Sequence, residues 1–283
     1  LEQLACAAGA GRPRQAAIVH DWPNMWALEG SSGPRNLGLG YWRELACHYN
    51  ALARAGVTVD FVGQGSDLAG YSLVVAPMLY LLREDFAEKL CRFARRGGTV
   101  VVSQWSGVVD ESDLCRLGDT PYGLTELLGL RRAEIDGLYD EERRRCIPAP
   151  GAPLPATQAS VLCEVPALNE TDPATPLLLY DEDYFAGAPA AAVHPCGDGR
   201  AYYLASRFTQ DFYSALYAGL AKEAGLAPAS PLPLPAGVLA ARRDGLLFVQ
   251  NCNPCSEKAL DTVLPAYGTA VWQQDGSRLT RLL

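Results

Sequence analysis

The stretch from Tyr71 to Gly107 sets the tightest limit on what this chain can fold into. Leu73 to Ala76 is apolar without polar alternation and is stopped by Pro77, and Val100 to Val102 is a second such run. Runs of this kind suit strands covered on both faces. Between them Phe86, Leu90, Phe93 and Ala94 recur at helical spacing. Arg92, Arg95 and Arg96 gather at the far end, where a helix dipole favours positive charge, and Gly97-Gly98 supplies a stop. Strand, helix and strand in so short a span form a βαβ unit, and such units build parallel sheets.

The residues upstream repeat the pattern. Ala16 to His20 reads as a strand. Tyr41 to Ala55 reads as a helix with Leu45, Tyr49, Leu52 and Ala53 on one face, ended by Gly56, and Thr58 to Val62 reads as a second strand. Asp21 to Asn36 is expected to be a long aromatic, glycine-rich loop stiffened by Pro23; long loops in compact domains are usually functional or interfacial. The crossover through Asp67-Leu68 is left open between helix and loop. Right-handed crossovers then favour an α/β fold with a flavodoxin-like parallel sheet, strand order 2-1-3-4, and helices on both faces. Ligand crevices in such sheets lie beyond the carboxyl ends of the strands. That rule gathers His20-Asp21-Trp22, Gly63-Gln64, Pro77 to Tyr80, and Ser103 to Ser106.

Beyond Gly107, short helices are expected at Asp113 to Leu117 and Leu124 to Leu128, and a loop at 148–158. Strands are expected near Val161 to Val165, Leu177 to Tyr180, Ala190 to His194 and Ala201 to Ala205. Gly197-Asp198-Gly199 reads as a hairpin turn, and Phe212 to Ala224 as a helix. A proline-rich linker precedes Gly237 to Leu283, which reads as a small all-β module with turns at Arg243-Asp244-Gly245 and Asp275-Gly276. The expected division is 1–14 as the end of a preceding helix and its linker, 15–230 as the α/β domain, and 231–283 as the β domain.

Acids outnumber bases, giving a net charge of −8, so the chain is a poor ligand for nucleic acid or anionic lipid. Arg143-Arg144-Arg145 follows Asp140-Glu141-Glu142 and reads as a solvated charge cluster. No run approaches the roughly 18 apolar residues of a membrane span. The amino terminus lacks both a basic signal region and a Met, which reads as a fragment or a processed chain. Nine cysteines, odd in number and without framework spacing, suggest reduced thiols and a cytoplasmic setting.

Chemical motifs are weak. Gly38-Leu39-Gly40 fails the dinucleotide spacing because Arg43 stands where a third Gly belongs. Cys252-Asn253-Pro254-Cys255 has no second pair or nearby His and reads as a turn with two free thiols. His194-Pro195-Cys196 offers no metal spacing, so neither a metal nor a cofactor is expected. Asp110-Glu111-x-Asp113 and Asp181-Glu182-Asp183 read as solvated loop acids. Ser103-Gln104-Trp105-Ser106-Gly107 lacks the glycine two residues before a nucleophilic serine, and Trp105 crowds the elbow. Trp22, Trp26, Tyr41 and Trp42 read equally as a core cluster or as an interface, where Trp and Tyr are enriched. The candidate interface or crevice residues are therefore His20, Asp21, Trp22, Trp26, Tyr80, Gln104 and Trp105.

Several blocks, in order, resemble the middle domain of glycoside hydrolase family 42 β-galactosidases. They are H-D-W-P-N-M-W-A-L-E-G-S-S-G-P from His20, V-D-F-V from Val59, Y-S-L-V-V-A-P-M-L-Y-L-L from Tyr71, and R-R-G-G-T-V-V-V-S-Q-W-S-G from Arg95. L-G-D-T-P-Y-G-L-T-E-L-L-G-L, Y-F-A-G-A-P-A-A-A and G-D-G-R-A-Y-Y-L continue the likeness. The resemblance implies a class I glutamine amidotransferase-like domain that mediates homotrimerisation. It also implies a closing β domain and, in the parent retaining enzyme, an amino-terminal barrel bearing both catalytic glutamates. A barrel takes about 250 residues; none fits before Gln15, so no catalytic residue is carried over, and the expected partners are the chain itself and that barrel. Asp21-Trp22-Pro23-Asn24-Met25-Trp26 departs from the family's usual D-W-E-N-W-W, and 140–160 matches poorly. The alternative expectation is a free-standing amidotransferase-like or esterase-like hydrolase using Ser103 to Ser106 with His20; a carbohydrate-binding module is a third.

Overall fold

The computed structural model describes residues 11–31, 33–34, 38–275 and 278–282. β1 (Ala16–Val19) is buried throughout and pairs in parallel with β2 (Val59–Val62) and β3 (Leu73–Ala76). β4 (Thr99–Ser103) extends the set, giving β2-β1-β3-β4, all parallel, as the crossover rule anticipates. Alternate residues leave the two faces. Ala16, Ile18, Leu73, Val75 and Val101 point to one apolar cluster; Ala17, Val19, Val74, Ala76, Val100 and Val102 point to another.

Helices cover both faces. The first cluster takes side chains of α1 (Trp22–Gly30) and α2 (Tyr41–Arg54), while α3 (Glu84–Arg95) packs Phe86, Ala87, Leu90 and Ala94 into the second. The connection from β2 to β3 contains no helix, which settles the crossover left open above.

Where a loop was expected, Trp22 to Gly30 form α1. Pro lacks an amide hydrogen, but in a first turn that hydrogen has no intrahelical acceptor, so Pro23 starts the helix rather than stiffening a loop. The burial pattern explains the segment: Asn24, Met25, Ala27 and Leu28 face inward while Trp22 and Trp26, one turn apart, face out.

The expectation of a parallel sheet fails beyond the fifth strand. α4 (Thr125–Leu128), β5 (Leu130–Gly137), β6 (Arg144–Pro148), β7 (Thr157–Leu168), β8 (Thr175–Tyr180) and β9 (Pro189–Cys196) follow in the chain, before β10 (Gly199–Leu204) and β11 (Ser206–Arg207). β10 joins β4 in parallel, and the sheet then runs antiparallel through β9, β8, β6, β7 and β11, with β5 on β7; one mixed sheet holds eleven strands. The reason is the connections: turns such as Gly197-Asp198 are too short to carry a parallel crossover. α5 (Gln210–Glu223) closes the region beside α2, burying Phe212, Tyr213, Leu216, Tyr217 and Leu220.

Asp113 to Leu117 is a turn rather than a helix: Asp110 Oδ1 accepts from Ser112 N at 2.8 Å and Leu114 N at 3.1 Å, an alternative to helical bonding. The arginine run is not merely solvated. Arg144 and Arg145 open β6, where Arg144 meets Asp136, Glu142 and Asp183, and Arg145 meets Asp181 at 2.6 Å.

A separate antiparallel sheet follows, built from β12 (Val238–Arg243), β13 (Leu246–Asn251), β16 (Thr269–Asp275) and β17 (Arg278–Arg281), with β14 (Glu257–Ala259) pairing β15 (Thr262–Leu264). Its core is Val238, Leu247, Val249, Leu264, Ala270 and Trp272. Asp244 and Gly245 turn the first hairpin with positive φ of 34° and 82°, which is why Asp-Gly stands there. The turn expected at Asp275-Gly276 lies partly outside the described residues. No helix among the described residues is long and apolar enough to cross a membrane.

Candidate functional site

The carboxyl ends of the parallel strands, where a ligand crevice was expected, are filled by the chain itself. The segment after β3, Pro77 to Leu82, is held by four buried polar side chains from other elements. Asn24 of α1 donates from Nδ2 to Met78 O at 3.1 Å and accepts from Leu81 N at 2.9 Å. Gln64 donates from Nε2 to Leu81 O and to Asp21 Oδ2, each at 3.0 Å, and accepts from Arg83 N at 2.9 Å. Ser103 Oγ accepts from Met78 N at 2.9 Å. Ser106 Oγ accepts from Leu79 N at 2.9 Å and donates to Ser103 O at 2.7 Å. These bonds hold Met78 at φ 44°, a left-handed conformation unusual for a residue with a side chain.

Both serine hydroxyls are therefore occupied by backbone groups and fully buried. The imidazole proposed to activate them sits elsewhere: His20 lies among Trp22, Tyr41 and Trp42, with ring centroids at 5.0, 5.9 and 4.9 Å. A nucleophile needs a free hydroxyl beside a base, so the hydrolase reading finds no support in this geometry.

Trp105 and Tyr80 plug the same end from behind. Trp105 adopts φ 58°, its ring stacks on Tyr80 at 5.8 Å, and the Arg132 guanidinium lies over it at 5.1 Å. Its backbone N–H donates to Glu164 Oε1 at 3.1 Å. Glu164 is fully buried, also takes Arg132 Nη1 at 2.8 Å, and accepts the Tyr203 hydroxyl. Burial, then the neighbouring Asp113, pushes the Tyr80 hydroxyl up to about 12, so it stays protonated at neutral pH.

Gln104 belongs to a second buried network. Its Nε2 donates to Glu44 Oε2 at 3.2 Å, and the same carboxylate takes Arg207 Nε at 2.6 Å, Tyr213 OH at 2.8 Å and His48 Nε2 at 3.1 Å. Burial alone would raise the Glu44 carboxyl; Arg207 and His48 overcome it and hold it at about 2. Arg207 also donates to Leu39 O at 2.7 Å and Gly40 O at 2.9 Å. That gives Gly40, at φ 66°, its role: the loop once weighed as a nucleotide motif is a seat for this guanidinium.

The seven candidate residues thus divide. Asp21, Tyr80, Gln104 and Trp105 are buried and structural. Trp22 and Trp26 remain at the surface with half-buried His20 and are joined by Trp42; the three indoles are 54, 61 and 53 % exposed. Trp22 lies 6.2 Å from both Trp26 and Trp42. This is one apolar face carried on the outer sides of α1 and the start of α2.

The remaining motifs are structural. His194 Nδ1 donates to Leu127 O at 3.0 Å, with Gly129 packed against its ring. Cys252 and Cys255 are exposed in the turn after β13. Hydrogen bonding to Glu257 raises the Cys255 thiol, the opposite of activation. Among the described residues no group of three His, Cys, Asp or Glu converges to hold a metal. Sequence reasoning missed Glu44, Glu164, Arg132, Asn24 and Arg207. Glu44 and His48 at i, i+4 were a usable signal; nothing in the sequence links Arg207 to them.

A mixed sheet with helices on both faces, its strand ends sealed by its own chain and an aromatic face left bare, defines an α/β domain without a recognisable catalytic centre among the described residues. The chain belongs to the family described as the beta-galactosidase trimerisation domain, of glycoside hydrolase family 42, whose model matches residues 14–227. It is 44% identical over 280 residues to the beta-galactosidase BglY of Alicyclobacillus acidocaldarius, spanning 95% of this chain and 40% of that protein. It is 35% identical over 268 residues to the beta-galactosidase Pbg of Clostridium perfringens, spanning 92% of this chain and 38% of that protein. The crystal structure of the beta-galactosidase from Rahnella sp. R3 superposes with a TM-score of 0.90 at 40% identity, covering 100% of this chain and 43% of that one. The chain spans well under half the length of these relatives.

Proposed function

We propose that this chain is the non-catalytic homotrimerisation platform and carboxy-terminal β domain of a retaining β-galactosidase that cleaves terminal β-galactosides. In this reading 15–230 form the platform, 231–283 the β domain, and 1–14 the exit from a preceding catalytic barrel. The amino-terminal half keeps a flavodoxin-like, amidotransferase-like arrangement onto which the antiparallel strands were added, and the protein works in the cytoplasm.

One observation carries the proposal: the Trp22, Trp26 and Trp42 face. Three adjacent, half-exposed indoles are costly in water, and Trp is enriched where one protein surface seats on another. His20 packs beneath them, so the face is preformed. The sealed strand ends and committed serines support the non-catalytic part.

Light scattering tests the assembly and an aryl β-galactoside tests the chemistry. The expected results are a self-associated species that Trp22→Ala with Trp26→Ala dissociates, and no turnover by the 283-residue chain. Turnover abolished by replacing a single acid of this chain overturns the non-catalytic assignment.

A further inference from the structure

Residues 11–15 lead into β1 and touch three separate parts of the fold: the sheet, the segment after α5, and the β module. Gln15 sits at the starts of β1, β2 and β3. Its carbonyl oxygen accepts from Ser72 N at 3.0 Å, its Oε1 accepts from Thr58 N at 2.7 Å, and its Nε2 donates to Ala227 O at 2.6 Å. Arg14 Nη1 donates to Ala69 O at 3.1 Å, and its guanidinium lies over the Tyr71 ring. Arg12 pairs with Asp60 of β2. The Gly11 amide donates to Asp244 Oδ2 at 2.5 Å, in the first hairpin turn of the β module.

The proline-rich segment that carries the module is anchored at both ends and bare between them. Ala229 N donates to Gly56 O at 2.8 Å, and a Cβ on Gly56 would press on Pro228, so this end is fixed to the close of α2. At the other end Asn253 Nδ2 donates to Ala236 O and Cys252 N to Gly237 O, each at 2.8 Å, which fixes Gly237 to the module. Between the anchors Pro231, Leu232 and Pro233 are exposed, and a crevice of about 570 Å³ separates this arm and β12 from the end of α2. Proline fixes φ, so such an arm behaves as a short stiff rod rather than a slack tether. Arg242 Nε reaches back to Ala229 O. Relative motion is the default for two bodies unless a large apolar interface joins them, and here open space lies where that interface would be.

We propose that residues 11–15 are a latch for the β module: with Gly11 on Asp244 the module is held, and with that contact broken it swings on the Pro231–Pro235 arm. The latch gives way at one exposed hydrogen bond, while Arg12, Arg14 and Gln15 keep the rest of the segment on the sheet. In the oligomerisation reading residues 11–14 lead out of the barrel, so the latch ties the position of the module to that of the barrel; the latch itself does not rest on that reading.

Amide hydrogen exchange of the 283-residue chain, read by mass spectrometry, tests this. Gly11→Pro removes the donated hydrogen, and Arg12→Ala loosens the segment that presents it. Exchange in peptides covering Ala229 and Ser230, both buried beside the arm, should quicken in both variants. With Gly11→Pro the change should be roughly tenfold, as for the loss of one hydrogen bond to a charged group. β1 of the sheet and β13 of the module should keep the parent's protection, because each body stays folded. The proposal is overturned if Gly11→Pro leaves exchange at Ala229 unchanged. It is equally overturned if exchange quickens to the same degree in β1 and β13, which would make residues 11–15 a part of the common fold and not a latch.

Discussion

Arg207 Nε donates to Glu44 Oε2 at 2.6 Å, and both groups are buried although far apart in sequence. This pair joins α2 to β11, and through Tyr213 and Gln104 it reaches α5 and the turn after β4. Two charges removed from water are tolerable only when every lone pair and proton finds a partner. Removing one member leaves the other stranded. Arg207→Met should destabilise the fold by about 3–5 kcal/mol, and Glu44→Gln by a comparable amount. The two together should cost clearly less than the sum, as urea denaturation in a double-mutant cycle would show. Additive losses would mean the residues act independently.

The same carboxylate should contribute to the acid limit of the fold. Glu44 is held at about 2 against an ordinary value of 4.5, mainly by Arg207 and His48 working against burial. A depressed folded value means the unfolded chain binds the proton more readily. Stability from this group is therefore complete above about pH 5 and drains away as pH falls from there towards 2, in all on the order of 3 kcal/mol. Glu44→Gln should flatten that part of the stability–pH curve while remaining less stable near neutrality. A curve of unchanged shape would show that other carboxylates set the limit.

The parts of the fold legible in the sequence were those set by local pattern. The Leu73 and Val100 runs, the Phe86–Leu90 stripe and the stop at Gly97-Gly98 became β3, β4 and α3 because uninterrupted apolar runs and helical spacing report burial directly. α1 was hidden because Trp22, Pro23 and a glycine-rich tail imitate a loop. The inward position of Asn24 depends on the Met78 and Leu81 backbone, which no spacing reveals. β5 and β6 were hidden because Arg131 and Arg132, and Arg144 and Arg145, stand near their starts, and strand formation there comes from pairing with β7 and β8. The aromatic face was legible in part: the clustering of Trp22, Trp26 and Trp42 was plain, and only the helix showed that all three point outward.

Neighbouring residues of α1 should respond oppositely to truncation. Met25 is buried in the main core, whereas Trp26 is mostly in solvent. Met25→Ala should cost about 2–5 kcal/mol through lost contacts and a cavity. Trp26→Ala should stay within about 0.5 kcal/mol for the dissociated protein. Thermal denaturation of both variants at low concentration decides this. A large loss at Trp26 would place that indole in the core.

The sealed strand ends should open when their side chains are trimmed. Ser106→Ala removes the acceptor for Leu79 N, and Asn24→Ala removes that for Leu81 N. Each leaves a buried amide unpaired, at roughly 1–3 kcal/mol. Amide hydrogen exchange at Leu79 and Leu81 should accelerate in the respective variants, with β1 left protected. Uniform acceleration across the sheet would point to global destabilisation instead.

The carboxy-terminal turn makes a prediction about reactivity. Cys255 Sγ lies 3.5 Å from Glu257 Oε1, and that hydrogen bond raises the thiol above its ordinary value. The carboxylate holds the proton on sulfur, and only the thiolate attacks an alkylating agent. Glu257→Gln removes the charge while keeping the side chain's size, so a larger thiolate fraction should be present at any pH near neutrality. In a Cys252→Ser background, iodoacetamide should modify Cys255 faster in the Gln variant, and the pH–rate curve should move to lower pH, as followed by mass spectrometry. An unchanged curve would mean that Glu257 does not govern this thiol.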